Sequence, residues 1–301
     1  MTVLISMFLI YVGSLAFVRL RNRAHLSWGR QLTDFSTFVV PLNIPAYLLS
    51  RVSTAARPPL SSFPQLKLLQ DNWQTIRDEA LALYGMGHIA VKTDLPASNF
   101  YKDNRWKSFY LKIYDNDIPS ARKLAPKTCA LIDQVPGMNL ALFAVLMPGK
   151  RLTQHHDPFA FSVRYSLGLS TPNDDRCGLM VNGEPYTWRD GEGIIFDETY
   201  LHAAYNDTDV PRLILMTDVD RPLRLRVVQT FYFYFARFFN SLFYIDNLDS
   251  SLSGFGNRFS GLIVGYKARM KALKKRSPVG YKIGKWTLHL GLVGLFAVWV
   301  L

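Results

Sequence analysis

The sequence predicts a mainly β domain, an antiparallel sandwich or jelly roll, set between apolar segments at the two ends of the chain. Three observations carry this expectation. From Met138 onward, short strand-like runs alternate with turn residues at intervals of about ten residues. Ahead of them, one stretch repeats its apolar residues with a helical period. Both ends of the chain are uncharged apolar runs bordered by arginine or lysine.

The strand signals follow in order. Leu140 to Met147 is an unbroken apolar run closed by Pro148-Gly149, the form of a buried strand leading into a turn. Phe161–Leu169, Gly178–Val181, Tyr186–Trp188, Gly193–Phe196 and Arg212–Thr217 come next, with Asn182-Gly183 as a hairpin turn between Val181 and Tyr186. Strands this short and evenly spaced suit antiparallel sandwiches and jelly rolls. The helical stretch is 64–84, where Leu66, Leu69, Trp73, Ile76, Ala80 and Leu83 recur at three- and four-residue steps. Ser62 can cap it, Pro64 suits its first turn and Gly85 its exit. Residues 86–136, rich in Lys, Asp and Tyr, read as short strands or loops.

At the N-terminus, Thr2 to Val18 carries no charge and is about 17 residues long, the lower limit for crossing a bilayer. Arg19, Arg21, Arg23 and Arg30 follow it. A signal peptide places its positive charges first, so this order indicates an uncleaved anchor with the downstream chain in the cytoplasm. At the other end, a cluster from Lys267 to Lys285 precedes a second apolar segment, residues 286–301. Interfacial or buried helices are the alternative for both ends. Two inner segments also suit lipid contact. Residues 38–50 are apolar but broken by Pro41 and Pro45, so no straight spanning helix is expected there. Residues 227–245 are densely aromatic and interrupted by Arg237, which fits either the headgroup region or a core helix. The chain therefore divides into an anchor (1–18), a basic and interfacial linker (19–59), a β domain with its helix (60–225), an aromatic segment with a basic linker (226–285) and a C-terminal membrane segment (286–301).

Charge narrows the partners. The 35 Lys and Arg against 23 Asp and Glu give a formal +12, which calls for something anionic. The excess lies beside apolar segments and no nucleic-acid motif accompanies it, so the expected partner is a membrane with anionic lipid, not a nucleic acid. For the 267–285 cluster, setting topology competes with binding substrate phosphates. Cys129 and Cys177 allow one disulfide but form no CxxC pair, and two thiols fit a reducing compartment equally well.

The chemistry concentrates at His155, Asp157 and His202. On an extended strand, His155 and Asp157 face one way and His156 the other. An H-x-D pair with a distant histidine supplies three ligands on one face of an octahedron, the facial triad of non-haem Fe(II) oxygenases, with positions left for a cosubstrate and O₂. Arg212 strengthens this reading. A 2-oxoglutarate cosubstrate needs a buried cation for its far carboxylate, and arginine offers a two-pronged donor. Arg164 is a second such cation. Asp197 either bonds a ligand histidine or shapes a turn, and Trp188 reads as core.

These residues carry a resemblance. Pro148-Gly149, then His155, Asp157 and Pro158, then RYSLGL from Arg164 with Pro172, Asn182-Gly183, Thr187-Trp188, FDETYLH ending at His202, Arg212, and DVDRP from Asp218 to Pro222 are similar to the aspartyl/asparaginyl β-hydroxylase family of 2-oxoglutarate oxygenases. The resemblance implies a double-stranded β-helix (jelly roll), iron at His155 and His202, and 2-oxoglutarate at Arg164 and Arg212. Some members have Gly where Asp157 stands and His where Ser166 stands, so this chain restores a complete triad but departs in its pocket. With apolar segments at both ends, the chain resembles more narrowly the bacterial lipid A acyl-chain 2-hydroxylases. That implies Fe(II), 2-oxoglutarate and O₂ acting on a secondary acyl chain of lipid A or a related anionic glycolipid, a lipopolysaccharide modification at the cytoplasmic face of the inner membrane. A peptidyl aspartyl/asparaginyl β-hydroxylase shares every iron residue, and a non-catalytic membrane-anchored cupin-like module shares the fold.

Overall fold

A computed structural model describes residues 2–90, 105–114, 118–241 and 247, with scattered residues between 269 and 284. The expected strand runs appear, joined by one within the 86–136 stretch and by two short ones that no apolar run marks. In chain order the strands are β1 (Trp106–Ile113), β2 (Met138–Leu146), β3 (Lys150–Arg151), β4 (Ser162–Ser170), β5 (Cys177–Val181), β6 (Glu184–Thr187), β7 (Gly193–Phe196), β8 (His202–Asn206) and β9 (Arg212–Asp220). They make two antiparallel sheets, ordered β1-β2-β9-β4-β7 and β3-β8-β5-β6. Together they form the jelly roll.

The core lies where the sheets face each other and under helices on the larger sheet. Phe143, Leu215 and Leu167 of the larger sheet join Leu179 and Val181 of the smaller in one buried cluster. Sealing such side chains from water contributes about 1.5–3 kcal/mol each. The helices of this cover differ from expectation. The 64–84 stretch is a 3₁₀ turn (Pro64–Leu66) followed by two helices, which fall fifth and sixth in the chain.

The helices in order are α1 (Thr2–Arg21), α2 (Trp28–Gln31), α3 (Phe35–Phe38), α4 (Val40–Leu48), α5 (Lys67–Asp71), α6 (Trp73–Gly85), α7 (Pro119–Leu124), α8 (Pro126–Asp133) and α9 (Arg226–Ser241). The break between α5 and α6 falls at Asn72, whose side-chain amide donates to the Leu68 carbonyl, 2.8 Å, and competes with the helix for that acceptor. Ser62 makes no cap bond, and the left-handed exit residue is Gly87 (φ +74°), not Gly85. Within 86–136 the structure places β1, α7 and α8, the two helices each opening on a proline in the first turn.

Among the described residues, α1 is the one helix long and apolar enough to cross a membrane. The 38–50 stretch is α3 and α4, divided at Val39. The aromatic 227–245 stretch becomes α9 as far as Ser241, and the 286–301 segment lies outside the described residues. Just after the H-x-D motif, Phe159 meets Phe235 of α9 edge to face and Phe161 stacks on Tyr232. The Asn43 side chain of α4 donates to Pro158 O (2.7 Å) and accepts from Ala160 N (2.9 Å). Thus α4 and α9 both rest on the segment that carries Asp157.

Candidate functional site

His155 and His202 are a hydrogen-bonded cross-strand pair. Each backbone N–H donates to the other's carbonyl at 3.0 Å, and the rings stand 4.3 Å apart. The Nδ1 of His155 lies 2.8 Å from Thr153 O, and that of His202 lies 2.9 Å from Tyr200 O. A carbonyl can only accept, so each Nδ1 carries its proton and each Nε2 is left with a lone pair. Those two lone pairs and Asp157 converge. Nε2 of His155 is 3.8 Å from one Asp157 oxygen and Nε2 of His202 is 3.9 Å from the other. All three ligand atoms fall within 4.8 Å of one another.

Asp157 arrives by a different route from the one the alternation suggested. The chain has left the strand by then, and the Asp157 N–H donates to Glu198 O at 2.9 Å. Its carboxylate is oriented from behind by Arg164, which donates to Asp157 Oδ2 (2.6 Å), to both oxygens of Asp218 (2.8 and 3.0 Å), and pairs with Glu198 at 2.5 Å. The sequence reading gave Arg164 to 2-oxoglutarate. In the structure three carboxylates occupy its guanidinium, so it first holds Asp157 in place.

Electrostatics divide the three acids. Burial works to raise all of them. For Asp157 the nearby Arg164, His155 and His202 win, and its carboxyl sits well below the ordinary range. Burial wins at Glu198, whose carboxyl is pushed well up, with Asp218 and Asp157 adding to it. A hydrogen bond between the Glu198 and Asp157 side chains drives the two further apart, lowering Asp157 and raising Glu198. Burial, with His155 beside it, pushes the His202 imidazole down to about 3, which keeps it neutral and able to ligate.

Arg212 is the opposite of Arg164. Along β9, Arg212, Ile214, Met216 and Asp218 share one face, the face on which Asp218 meets Arg164 and, beyond it, Asp157. Arg212 is 2% exposed, its Nε has no hydrogen-bond partner, and its guanidinium lies 4.9 Å from the centre of the Trp188 ring. Burial pushes it down to about 10, with only the Cys177 thiol opposing. Trp188, expected as core, is buried as the platform under this cation. A buried cation without an anion is costly unless a ligand supplies one.

Asp197 resolves to the turn-shaping alternative. Its Oδ1 accepts from the Thr199 N–H (3.0 Å) and hydroxyl, while its Oδ2 takes Arg21 (2.8 Å) and Arg221 (2.7 Å). His156 points away from the cluster, with Nδ1 3.0 Å from Thr199 O. Cys129 and Cys177 are both buried and are not joined in a disulfide. Glu198, Asp218, Arg21 and Arg221 were not marked by sequence reasoning. The runs DET and DVDRP contain three of them, but nothing in a run shows which acid is buried.

Fold and site together define a jelly-roll domain with a two-histidine, one-carboxylate candidate metal centre. The chain belongs to the aspartyl/asparaginyl β-hydroxylase family, whose model matches residues 70–222. Ornithine lipid ester-linked acyl 2-hydroxylase from Rhizobium tropici is 35% identical over 168 residues, covering 54% of this chain and 60% of that one. Human aspartate beta-hydroxylase domain-containing protein 2 is 33% identical over 169 residues, covering 52% and 44%. The chain thus spans about half the length of the curated relatives it matches. Among solved structures, a cupin domain of an XRE-family regulator from Enterobacter cloacae aligns over 38% of this chain and 96% of its own, with 15% identity and a TM-score of 0.28.

Proposed function

We propose that this chain is an Fe(II)- and 2-oxoglutarate-dependent hydroxylase that acts at the 2-position of a lipid A-type acyl chain, on the cytoplasmic face of a bacterial inner membrane. The observation that carries the reading is the convergence of two lone-pair Nε2 atoms and one ionised carboxylate, with the His202 Nε2 buried and lacking a hydrogen-bond partner. Two neutral imidazoles and a carboxylate are a donor set that suits Fe(II). Iron with 2-oxoglutarate and O₂ supplies the oxidising power to place a hydroxyl on an unactivated carbon.

The protein's own residues do the rest. Thr153 O and Tyr200 O fix the imidazole tautomers. Arg164 and Glu198 hold the Asp157 carboxylate against movement. Arg212, a dehydrated two-pronged donor, takes the far carboxylate of 2-oxoglutarate. Support for a lipid substrate comes from α1, from the basic excess beside it, and from the lipid-modifying relative in Rhizobium tropici.

The test uses the full chain in proteoliposomes with Fe(II) and 2-oxoglutarate. Lipid A, ornithine lipid and an Asp-containing peptide are offered separately, and succinate release is measured together with product mass. One added oxygen on a lipid A acyl chain, coupled to succinate, is expected. Oxygen added only to the peptide removes the lipid reading. No succinate from any substrate, in protein that binds iron, removes the reaction class.

A further inference from the structure

The segment joining α1 to the domain is built inside out. On α2, α3 and α4, and at Leu32 just after α2, the large side chains turned to the exterior are apolar except Arg30: Trp28, Leu32, Phe35, Phe38, Ile44 and Leu48. The residues turned inward are Gln31, Ser36, Thr37 and Asn43, bound to each other, to their own chain and to the H-x-D segment, together with two apolar ones, Val40 and Ala46. A helix beside water does the reverse. In α9 one stripe (Tyr232 and Ala236) is buried on Phe161, while a second stripe, Val227, Phe231, Tyr234 and Phe238, recurs at helical spacing and is exposed. Phe38 and Phe231 are each more than half exposed, at 56% and 53%. Between α4 and α9 runs a groove walled by Pro41, Pro45, Val227 and Phe231.

Three facts identify what covers this face. It is continuous with α1: Tyr11 of α1 stacks near Phe38, its hydroxyl donates to Leu32 O (2.8 Å), and Phe17 stacks on Tyr47. Its charged residues are almost all of one sign. From Arg19 to Arg57 there is a single acid, Asp34, and from Arg221 to Arg237 there is none. Third, a contiguous apolar patch of this extent, rimmed by arginine, is rare on a surface that stays in water.

We propose that α2–α4 and the outer stripe of α9 form a second membrane-seating surface, immersed at the boundary between anionic headgroups and acyl chains, in addition to α1. This goes beyond the hydroxylase reading and does not depend on it. Because α4 and α9 also pack on the Pro158–Phe161 segment, the seat holds the Asp157 side of the domain against the bilayer. The occupant is the lipid bilayer itself.

The test is depth-resolved quenching in the full chain. Cys129 and Cys177 are buried, so a single Cys introduced by Phe38→Cys or Phe231→Cys can be labelled with a bimane fluorophore. Val210→Cys, an exposed apolar position on the β8–β9 turn, is the control. The variants are reconstituted in phosphatidylethanolamine–phosphatidylglycerol vesicles with and without brominated acyl chains. Labels at 38 and 231 are expected to lose at least about half their intensity to brominated lipid, and the label at 210 almost none. If 38 and 231 respond no more than 210, the proposal is overturned. If they are shielded from aqueous iodide yet unquenched by brominated lipid, a second copy or another polypeptide segment covers the face, and the proposal fails equally.

Discussion

In β2 the residues withdrawn from the exterior, Leu142, Phe143 and Val145 among them, are apolar with the exception of Asn139, whereas in α3 and α4 polar Ser36, Thr37 and Asn43 are withdrawn alongside Val40 and Ala46. The jelly roll sorts its side chains as a protein in water does, whereas the helices around α1 bury several polar side chains and leave large apolar ones exposed. The sandwich draws stability from removing apolar area from water. The helices from α1 to α4 are instead tied to the domain by hydrogen bonds, chiefly Asn43 to the 158–160 segment and Arg21 with Arg221 to Asp197. The candidate metal centre lies along the seam between the two regions, with His202 on the sandwich and Asp157 on the segment beneath α4 and α9.

The largest effect belongs to the centre itself. Asp157→Ala is expected to lower iron content and to reduce succinate release by more than about a hundredfold, beyond the loss typical of residues that merely support a ligand. Arg164 and Glu198 keep each other as partners, so the thermal transition in detergent should change little. An Asp157→Ala variant that retains iron and turnover removes Asp157 from the ligand set.

A matched pair of substitutions tests the opposing polarity directly. Phe143→Ala, in the sandwich core, is expected to destabilise by about 3–5 kcal/mol. Phe38→Ala, on the outer face of α3, is expected to change stability by less than about 0.5 kcal/mol in detergent. Chemical denaturation of the two variants measures both. Equal losses would mean that α3 is packed like the core, and the contrast would collapse.

At the seam, Asp197→Ala leaves Arg21 and Arg221 facing each other without their shared anion, and a loss near 3 kcal/mol is expected. The sign with pH follows from its depressed pKa. Burial works against the ionised form, but Arg221 and Arg21 prevail and hold the carboxyl low. Its contribution is complete above the unfolded value of about 3.9 and disappears as pH falls through the folded one. The gap between wild type and Asp197→Ala should therefore be widest near neutral pH and narrow below about pH 4. A gap that grows on acidification contradicts the ion-pair account.

How much of this could be read beforehand depends on which physical rule each residue obeys. His155 and Asp157 were legible from their spacing, and Arg212 from its place ten residues after His202. Glu198 and Asp218 were not, because their roles come from the β4–β9 register that sets Arg164 opposite Asp218. Strand β8 escaped notice because HAAYN is short and its small residues give no apolar alternation. Helices α7 and α8 are hard to see in the polar 86–136 stretch because they are only six and eight residues long, each opening on a proline where a first turn tolerates it. The break at Asn72 was hidden because the apolar steps Leu69, Trp73 and Ile76 run across it at four- and three-residue spacing.

Arg212 separates ligand binding from stability. It is a cation in the sandwich that no described residue neutralises. Arg212→Met is expected to weaken 2-oxoglutarate binding by about tenfold to a hundredfold, the loss of a charge-assisted pair. The thermal transition without cosubstrate should hold or rise, since an unpaired buried charge is replaced by an apolar chain of similar length. Isothermal titration and a melt on the same sample decide. Unchanged 2-oxoglutarate affinity would take the cosubstrate away from Arg212.

The smallest effect lies beside the largest seam contact. Arg23 pairs with Glu184 at 2.8 Å, linking the residues just after α1 to β6 much as Arg21 links the end of α1 to Asp197. Burial is what distinguishes the two pairs. The Arg23 and Glu184 side chains are 79% and 54% exposed, against 13% and 0% for Arg21 and Asp197. Water screens the outer pair and solvates either partner left alone, so Glu184→Gln should change stability by less than about 0.5 kcal/mol, and less still at high salt. If Glu184→Gln instead matches Asp197→Ala, the link between anchor and domain depends on total charge at the seam rather than on the dehydration of one carboxylate.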